Sequence, residues 1–221
     1  MPKRRLYLLG GNTSQREANA HFSRAAGGRN AQIALLLVYR EGWEDFLQHY
    51  TKHWLDQGVL ERNISVIMPN EKSTLDAHAA AQQLAAATGI FIGGGHSETY
   101  YAQYTKQPFK QLIKDNYAAG VPIAGNSAGA LLMPDTVLLS PHDTDNQQAW
   151  SGPGLGLLHN QLISVHFSQW QDEYHLTAGL ERHQVPYGYG IDEDACLYFE
   201  NEQPTAVFGT EQVKRIEKGT L

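Results

Sequence analysis

The chain holds one cysteine, Cys196, in 221 residues, so no internal disulfide can form and a reducing, cytoplasmic setting is expected. Within Ala195-Cys196-Leu197-Tyr198-Phe199 the thiol reads as a small buried hydrophobe rather than a nucleophile. Basic residues are also short: 17 Lys and Arg stand against 23 Asp and Glu, a net charge of -6. With no surplus of cations to neutralise phosphates, a nucleic-acid partner is not expected. No apolar run approaches the roughly 20 residues of a membrane span. Leu6 to Leu9, after the basic Pro2-Lys3-Arg4-Arg5, is too short for a signal-peptide core and reads as the first strand. Metal spacing is missing too: there is no H-E-x-x-H, no cysteine pair, and the ten histidines are scattered. Neither a metal nor a cofactor is expected. A nucleotide cradle at Gly93-Gly94-Gly95 fails because Glu98 stands where a G-x-G-x-x-G fingerprint needs its last glycine, and no Walker lysine follows.

What is present is a repeating alternation. Leu6 to Leu9, Gln32 to Tyr39, Ile64 to Met68, Gly89 to Ile92 and Val121 to Ala124 are short apolar runs of the kind that fill a strand buried on both faces. Between them, Gly42 to Gly58 spaces Trp43, Phe46, Leu47, Tyr50, Trp54 and Leu55 by threes and fours, the signature of an amphipathic helix. Thr74 to Thr88, opening after Ser73, is alanine-rich and helical. Glu98 to Lys106 and Pro108 to Ala119 read as two more helices. Strands alternating with helices imply an α/β fold with a mostly parallel central sheet and helices on both faces, formed by residues 1–221 as one domain, monomeric or homodimeric. From Pro141 to Gly156 the chain is polar and reads as a loop. Leu162 to Phe167 is another strand, Gln171 to His183 a helix, and the tail from Gly190 to Ile216 a closing hairpin.

In such a sheet, ligands gather at the carboxyl ends of the strands. Gly10-Gly11, Gly93-Gly94-Gly95 and Gly125-Asn126-Ser127 all fall there. The last belongs to a G-x-S-x-G frame running from a strand into a helix start, the pattern of a nucleophile elbow that holds a serine at the apex of a sharp turn. A serine hydroxyl needs a base within reach and a third group to orient that base. His166 closes a buried strand at the sheet edge where Ser127 would sit and is the candidate base, whereas His49, His53, His78 and His175 sit on helical stretches and His159 and His183 border loops. For the acid, Asp192-Glu193-Asp194 at a turn into a strand competes with Asp143 and Asp145. The oxyanion of a tetrahedral intermediate needs backbone donors, and the amides of Ala128 and Gly95 are the candidates.

Four segments carry a family resemblance: Phe91-Ile92-Gly93-Gly94-Gly95-His96, Gly125-Asn126-Ser127-Ala128-Gly129-Ala130, Ile163-Ser164-Val165-His166-Phe167 and Gly190-Ile191-Asp192-Glu193-Asp194. In this order and spacing, from about Leu6 to Val207, the chain resembles the serine peptidases that include dipeptidase E (aspartyl dipeptidase) and cyanophycinase. The resemblance implies a three-layer flavodoxin-like fold of the class I glutamine amidotransferase kind, and hydrolysis of a small peptide substrate. It also implies Ser127 as nucleophile, His166 as base, Glu193 as orienting carboxylate with Asp143 as the alternative, and Gly95 and Ala128 as the oxyanion hole. An ordinary α/β-hydrolase would place its acid between serine and histidine; the order Ser127, His166, Glu193 does not.

The chain also departs from the family. Dipeptidase-like members carry arginines after the catalytic histidine to hold an aspartyl side chain, and here Gln171 to Thr177 has no basic residue except His175, with Arg182 the next. Glu173 in that stretch is expected to face a cationic group of the substrate, so that the first-residue preference need not be aspartyl. His96, where the family usually has an amide residue, is expected to contact substrate. Two further readings remain open: a small α/β-hydrolase esterase using Ser127, Asp143 and His166, and a non-catalytic peptide-binding protein of the same fold.

Overall fold

The structure, a computed structural model, describes residues 2–72 and 74–219. In chain order it runs β1 (Arg5–Leu9), α1 (Arg16–Ala25), β2 (Ile33–Leu36), α2 (Trp43–Asp56), β3 (Ile64–Ile67), α3 (Ala77–Ala86), β4 (Gly89–Ile92), α4 (Ser97–Tyr104), α5 (Phe109–Ala118) and β5 (Ile123–Asn126). It continues with α6 (Ala128–Leu131), β6 (Thr136–Leu139), β7 (Trp150–Pro153), β8 (Gln161–Val165), α7 (Glu173–His183), β9 (Tyr187–Ile191), β10 (Ala195–Glu200), β11 (Gln203–Gly209) and β12 (Val213–Glu217).

Seven strands form the central sheet in the order β11-β10-β1-β5-β4-β2-β3. The five strands β1, β5, β4, β2 and β3 are parallel, and β10 and β11 extend the sheet antiparallel at one edge. The period of two along each strand explains the layers. Leu6 and Leu8 pack on one side with Ile113, Tyr104 and Leu84 of α5, α4 and α3. Tyr7 and Leu9 pack on the other with Phe22 of α1 and Trp54 of α2. The Trp54 indole N–H donates to Asn19 Oδ1 at 2.7 Å, tying α2 to α1 without leaving either polar group unpaired.

This is the α/β architecture with a mostly parallel central sheet that the alternation implies. Several local expectations are corrected. The residue expected to open α3, Ser73, lies outside the described residues, and Asp76 caps the helix by accepting from the amides of His78 and Ala79. Helix α1 was not signalled by the apolar pattern; it is capped by Gln15, whose side chain accepts from the Ala18 amide. The stretch from Pro141 to Gly156 is not wholly a loop: Trp150–Pro153 pairs antiparallel with Thr136–Leu139. The tail makes one hairpin, β10 with β11, and then sends β12 back to pair with β9.

The largest correction concerns the strand that ends at His166. It was expected at the edge of the sheet that carries Ser127, but β8 belongs to a separate three-stranded sheet, β12-β9-β8. The two sheets meet through a loop contact: the His166 amide donates to Gly10 O at 3.1 Å, just past the end of β1. No helix among the described residues is long and apolar enough to cross a membrane.

Candidate active site

Adjacent parallel strands bring the ends of β1, β5 and β4 together, with Leu9 opposite Asn126 and Ile92 opposite Gly125. Three glycine-bearing loops therefore emerge side by side. The turn after β5 is tight for a steric reason. A Cβ on Gly125 would lie 2.5 Å from the Gly129 backbone, and one on Gly129 would run into Ile92 O. Neither glycine has a positive φ; the residue that does is Ser127, at φ 49° and ψ -114°. The glycines allow close approach, and the serine carries the strain of the turn. It is held there by its own amide, which donates to Leu9 O at 2.9 Å, and by Gly129 N–H donating to Gly93 O at 3.1 Å.

Ser127 Oγ lies 2.9 Å from His166 Nε2, and His166 Nδ1 lies 2.8 Å from Glu193 Oε1. With Glu193 ionised, Nδ1 carries the proton and donates to it, leaving Nε2 to accept from the serine hydroxyl. The imidazole is mostly enclosed, 16% exposed, whereas the carboxylate is half in solvent at 48%. Glu193 sits in the turn between β9 and β10, where its carbonyl accepts from the Asn12 amide at 2.9 Å. Asp143, the alternative acid, is turned to other partners: it accepts from Ser97 Oγ at 2.8 Å and from the Ser140 amide at 3.0 Å. Burial pushes its carboxyl up from the usual range, against the pull of those hydrogen bonds.

Gly95 stands at φ +148°, a conformation that favours glycine. Its amide and that of Ala128 have no acceptor among the described residues, so both are available to a bound oxygen. Gly94, the residue before Gly95, is fixed at both its amide and its carbonyl by two tyrosines. Tyr50 OH accepts from the Gly94 amide at 3.1 Å, and Tyr100 OH donates to Gly94 O at 3.3 Å. Burial raises the pKa of both phenols, which keeps them protonated.

Ser127 opens into two cavities that share Gly95, His96, Ser127 and His166. One, of about 350 Å³, is walled by Tyr39, Arg40, Trp43, Phe46 and His49 over a floor that includes Leu37 and Tyr50. The other, of about 370 Å³, is lined by Ser97, His142, Asp143, Asp145 and Trp170. His96 caps α4, accepting from the Thr99 amide, and reaches Asp145 Oδ1 with Nε2 at 2.9 Å. His96, Glu98 and Asp145 bring one ligand atom each within 4.8 Å of one another, the group of described residues that could hold a cation. Both carboxylates are engaged within the cluster, since Glu98 Oε2 accepts from the Asp145 amide.

Glu173 does not join the site. It opens α7, its carboxylate accepts from Lys214 Nζ at 2.7 Å through both oxygens, and it lines neither cavity at Ser127. An intramolecular cation has taken the place of the substrate cation expected for it. Three site residues had no sequence signal of their own. Trp170 stacks on the His166 ring at 4.3 Å between centroids and 23° between planes. Gly11 lies so close to the ring that a Cβ would strike His166 Cε1 and come within 2.7 Å of Nδ1. Asn126, buried beside Ser127, donates from Nδ2 to Gly11 O at 3.3 Å. Gly11 and Asn126 were legible only as loop residues at strand ends, and Trp170 only as an aromatic four residues after a histidine.

A profile of peptidase family S51 matches residues 6–207. The cyanophycinase of Synechococcus elongatus is 25% identical over 200 residues, covering 89% of this chain and 62% of its own. That of Geminocystis herdmanii is 23% identical over 198 residues, covering 88% and 72%. The chain thus spans about three fifths of the length of the Synechococcus relative. Among solved structures, a peptidase from an acI-B1 Actinobacterium superposes with a TM-score of 0.73 at 20% identity, over 98% of this chain and 95% of that one. A protein described as peptidase E from Listeria monocytogenes EGD-e gives 0.67 at 15% identity, over 97% and 100%. At those identities the two structures speak to the fold.

Proposed function

The chain belongs to peptidase family S51, and from that premise we propose that it is a serine-type exopeptidase that hydrolyses short peptides through an acyl-enzyme, with Ser127 as nucleophile. The observation that carries the reading is the continuous line from Ser127 Oγ through His166 to Glu193, at 2.9 and 2.8 Å.

In this reading Ser127 Oγ attacks the scissile carbonyl carbon while His166 Nε2 takes the hydroxyl proton. Glu193 holds the ring in the tautomer that leaves Nε2 free and offsets the charge of the imidazolium. The carbonyl oxygen, now negative, accepts from the amides of Gly95 and Ala128. Each such donor is worth roughly 3 to 4 kcal/mol of barrier in comparable sites. Collapse of the tetrahedral species breaks the C–N bond, and His166 returns its proton to the leaving amine. A water, deprotonated by the same nitrogen, then attacks the acyl carbon, and Ser127 leaves with that proton. The product is a free carboxylate. His96, common to both cavities, is part of the substrate wall. A cytoplasmic setting fits a single thiol that is fully buried in β10.

The esterase reading differs in its acid, so two variants separate them. Glu193→Gln is expected to lower kcat/KM on a dipeptide library by on the order of 10²-fold or more, the scale of general-base assistance, and Asp143→Asn by much less. The reverse order would make Asp143 the orienting acid. Absence of peptide hydrolysis by the wild type, or hydrolysis that survives Ser127→Ala, would overturn the proposal.

A further inference from the structure

The aromatic cavity beside Ser127 contains a charge that the peptidase chemistry does not use. Arg40, in the connection from β2 to α2, lines that cavity with its guanidinium carbon 3.3 Å from the centre of the Phe46 ring. Glu41, Glu44 and Asp45 follow it closely in sequence, yet among the described residues no carboxylate forms an ion pair with Arg40. Stacking on an aromatic face orients a guanidinium while leaving its N–H edge free to take a planar anion in a two-pronged contact. The cation is therefore fixed in place without an anion. Across Ser127 the sign reverses, because the second cavity carries Asp143 and Asp145.

Resting on the peptidase reading above, we propose that Arg40 is a specificity residue that receives the C-terminal carboxylate of the substrate, with the leaving residue's apolar or aromatic side chain packed on Trp43 and Phe46. One residue at the end of a peptide carries both features on a single α-carbon, a carboxylate and a side chain, and this cavity offers a partner for each. At about 350 Å³ it lies at the small end of the roughly 300 to 1,000 Å³ typical of ligand pockets, which suits one terminal residue rather than an extended chain. Charge sets the direction: a free N-terminal ammonium is drawn towards the exposed carboxylate of Asp145, and a peptide bound the other way round would put ammonium against guanidinium. An acidic side chain on the first residue could also supply a carboxylate, but it would leave Trp43 and Phe46 without an apolar partner.

The test reads binding without turnover. Calorimetry on the Ser127→Ala protein compares Ala-Phe, its C-terminal amide, and the amide of Asp-Phe. Ala-Phe is expected to bind at least tenfold more tightly than Ala-Phe amide, and Arg40→Gln in the same background to bring the two within about twofold. Equal binding of acid and amide, a preference that survives Arg40→Gln, or no binding of any of the three overturns the assignment. Arg40-dependent binding of Asp-Phe amide in place of Ala-Phe moves the carboxylate to the first side chain and overturns it as well. Turnover of Ala-Phe by the wild type is scored separately. Arg40-dependent binding with no turnover of Ala-Phe or of any member of the dipeptide library would sink the peptidase reading and keep this one, and turnover indifferent to Arg40 would do the opposite.

Discussion

Ser127 and His166 sit at the same positive φ, 49° each, and their side chains meet at 2.9 Å. Positive φ is uncommon outside glycine, and each residue is held in it by the chain at the end of β1: Ser127 by Leu9 O, His166 by Gly10 O, two consecutive carbonyls. Strain of this kind costs on the order of 1 to 3 kcal/mol per residue and persists only where the surroundings enforce it. The end of β1 thus fixes the relative position of two residues from different sheets.

The strain at Ser127 is measurable. Ser127→Ala and Ser127→Gly both remove the hydroxyl, but only glycine is at ease at φ 49°. The glycine variant is expected to be more stable than the alanine variant by about 1 kcal/mol after its own entropic cost, a difference of roughly 2 to 4 °C in melting temperature for a chain of this size. Scanning calorimetry of the pair checks it, and an alanine variant as stable as the glycine variant would mean that the turn is relaxed.

Gly11 is needed for a different reason, since no positive φ is involved. A methyl group there meets His166 Cε1 and Nδ1 and lies 3.0 Å from Glu193 Cγ. Gly11→Ala is expected to displace the ring from Ser127 and lower kcat by about 10²-fold, the cost of a misplacement near 1 Å, while KM moves little. Steady-state kinetics with a dipeptide that the wild type hydrolyses decides this, and an alanine variant with wild-type kcat would show that the ring has room to spare.

Much of this arrangement was legible in the chain because parallel strands buried on both faces read as apolar runs, and strand ends read as glycines. Ser127, Gly95 and Ala128 come from that logic alone. Glu193 did not: a carboxylate in a turn looks the same whether or not a histidine lies 2.8 Å away, and only the family resemblance distinguished it from Asp143. The apolar run that ends at His166 marks a strand but not its sheet, because strand pairing is set by β9 and β12, which follow it in the chain. The partner of Glu173 is illegible in the chain for a similar reason. That partner, Lys214, lies 41 residues on, a separation at which no local pattern operates.

Trp170 is a positioning residue through its stack on His166. The indole shields one face of the ring from water and restricts its rotation, and it also approaches His142 at 5.2 Å between centroids. Trp170→Ala is expected to reduce kcat by about tenfold and Trp170→Phe to restore most of that loss, since stacked aromatic pairs contribute roughly 0.5 to 1.5 kcal/mol. The split between kcat and KM distinguishes this from a general packing defect: a misplaced ring lowers kcat at unchanged KM, whereas a loosened pocket raises KM as well.

Asp172 supplies a stability test that does not depend on catalysis. It is 6% exposed, accepts from Ser164 Oγ at 2.7 Å, and burial pushes its carboxyl up to about 6, with nearby Asp143 adding to the rise. A carboxyl raised on folding contributes stability that is fully present below its unfolded value near 4 and is lost as pH rises through about 6. Above that, the fold carries a buried charge at a cost on the order of 3 kcal/mol if the whole shift is expressed. Asp172→Asn keeps an acceptor for Ser164 and never ionises. Its stability relative to wild type is therefore expected to improve between pH 4 and pH 7, by 1 to 3 kcal/mol, or about that order, and to level off beyond. Urea unfolding of both proteins at pH 4.5 and pH 7.5 reads the difference directly. A gap that stays constant, or narrows with rising pH, would show that Asp172 is ionised at little cost and that Ser164 already satisfies its charge.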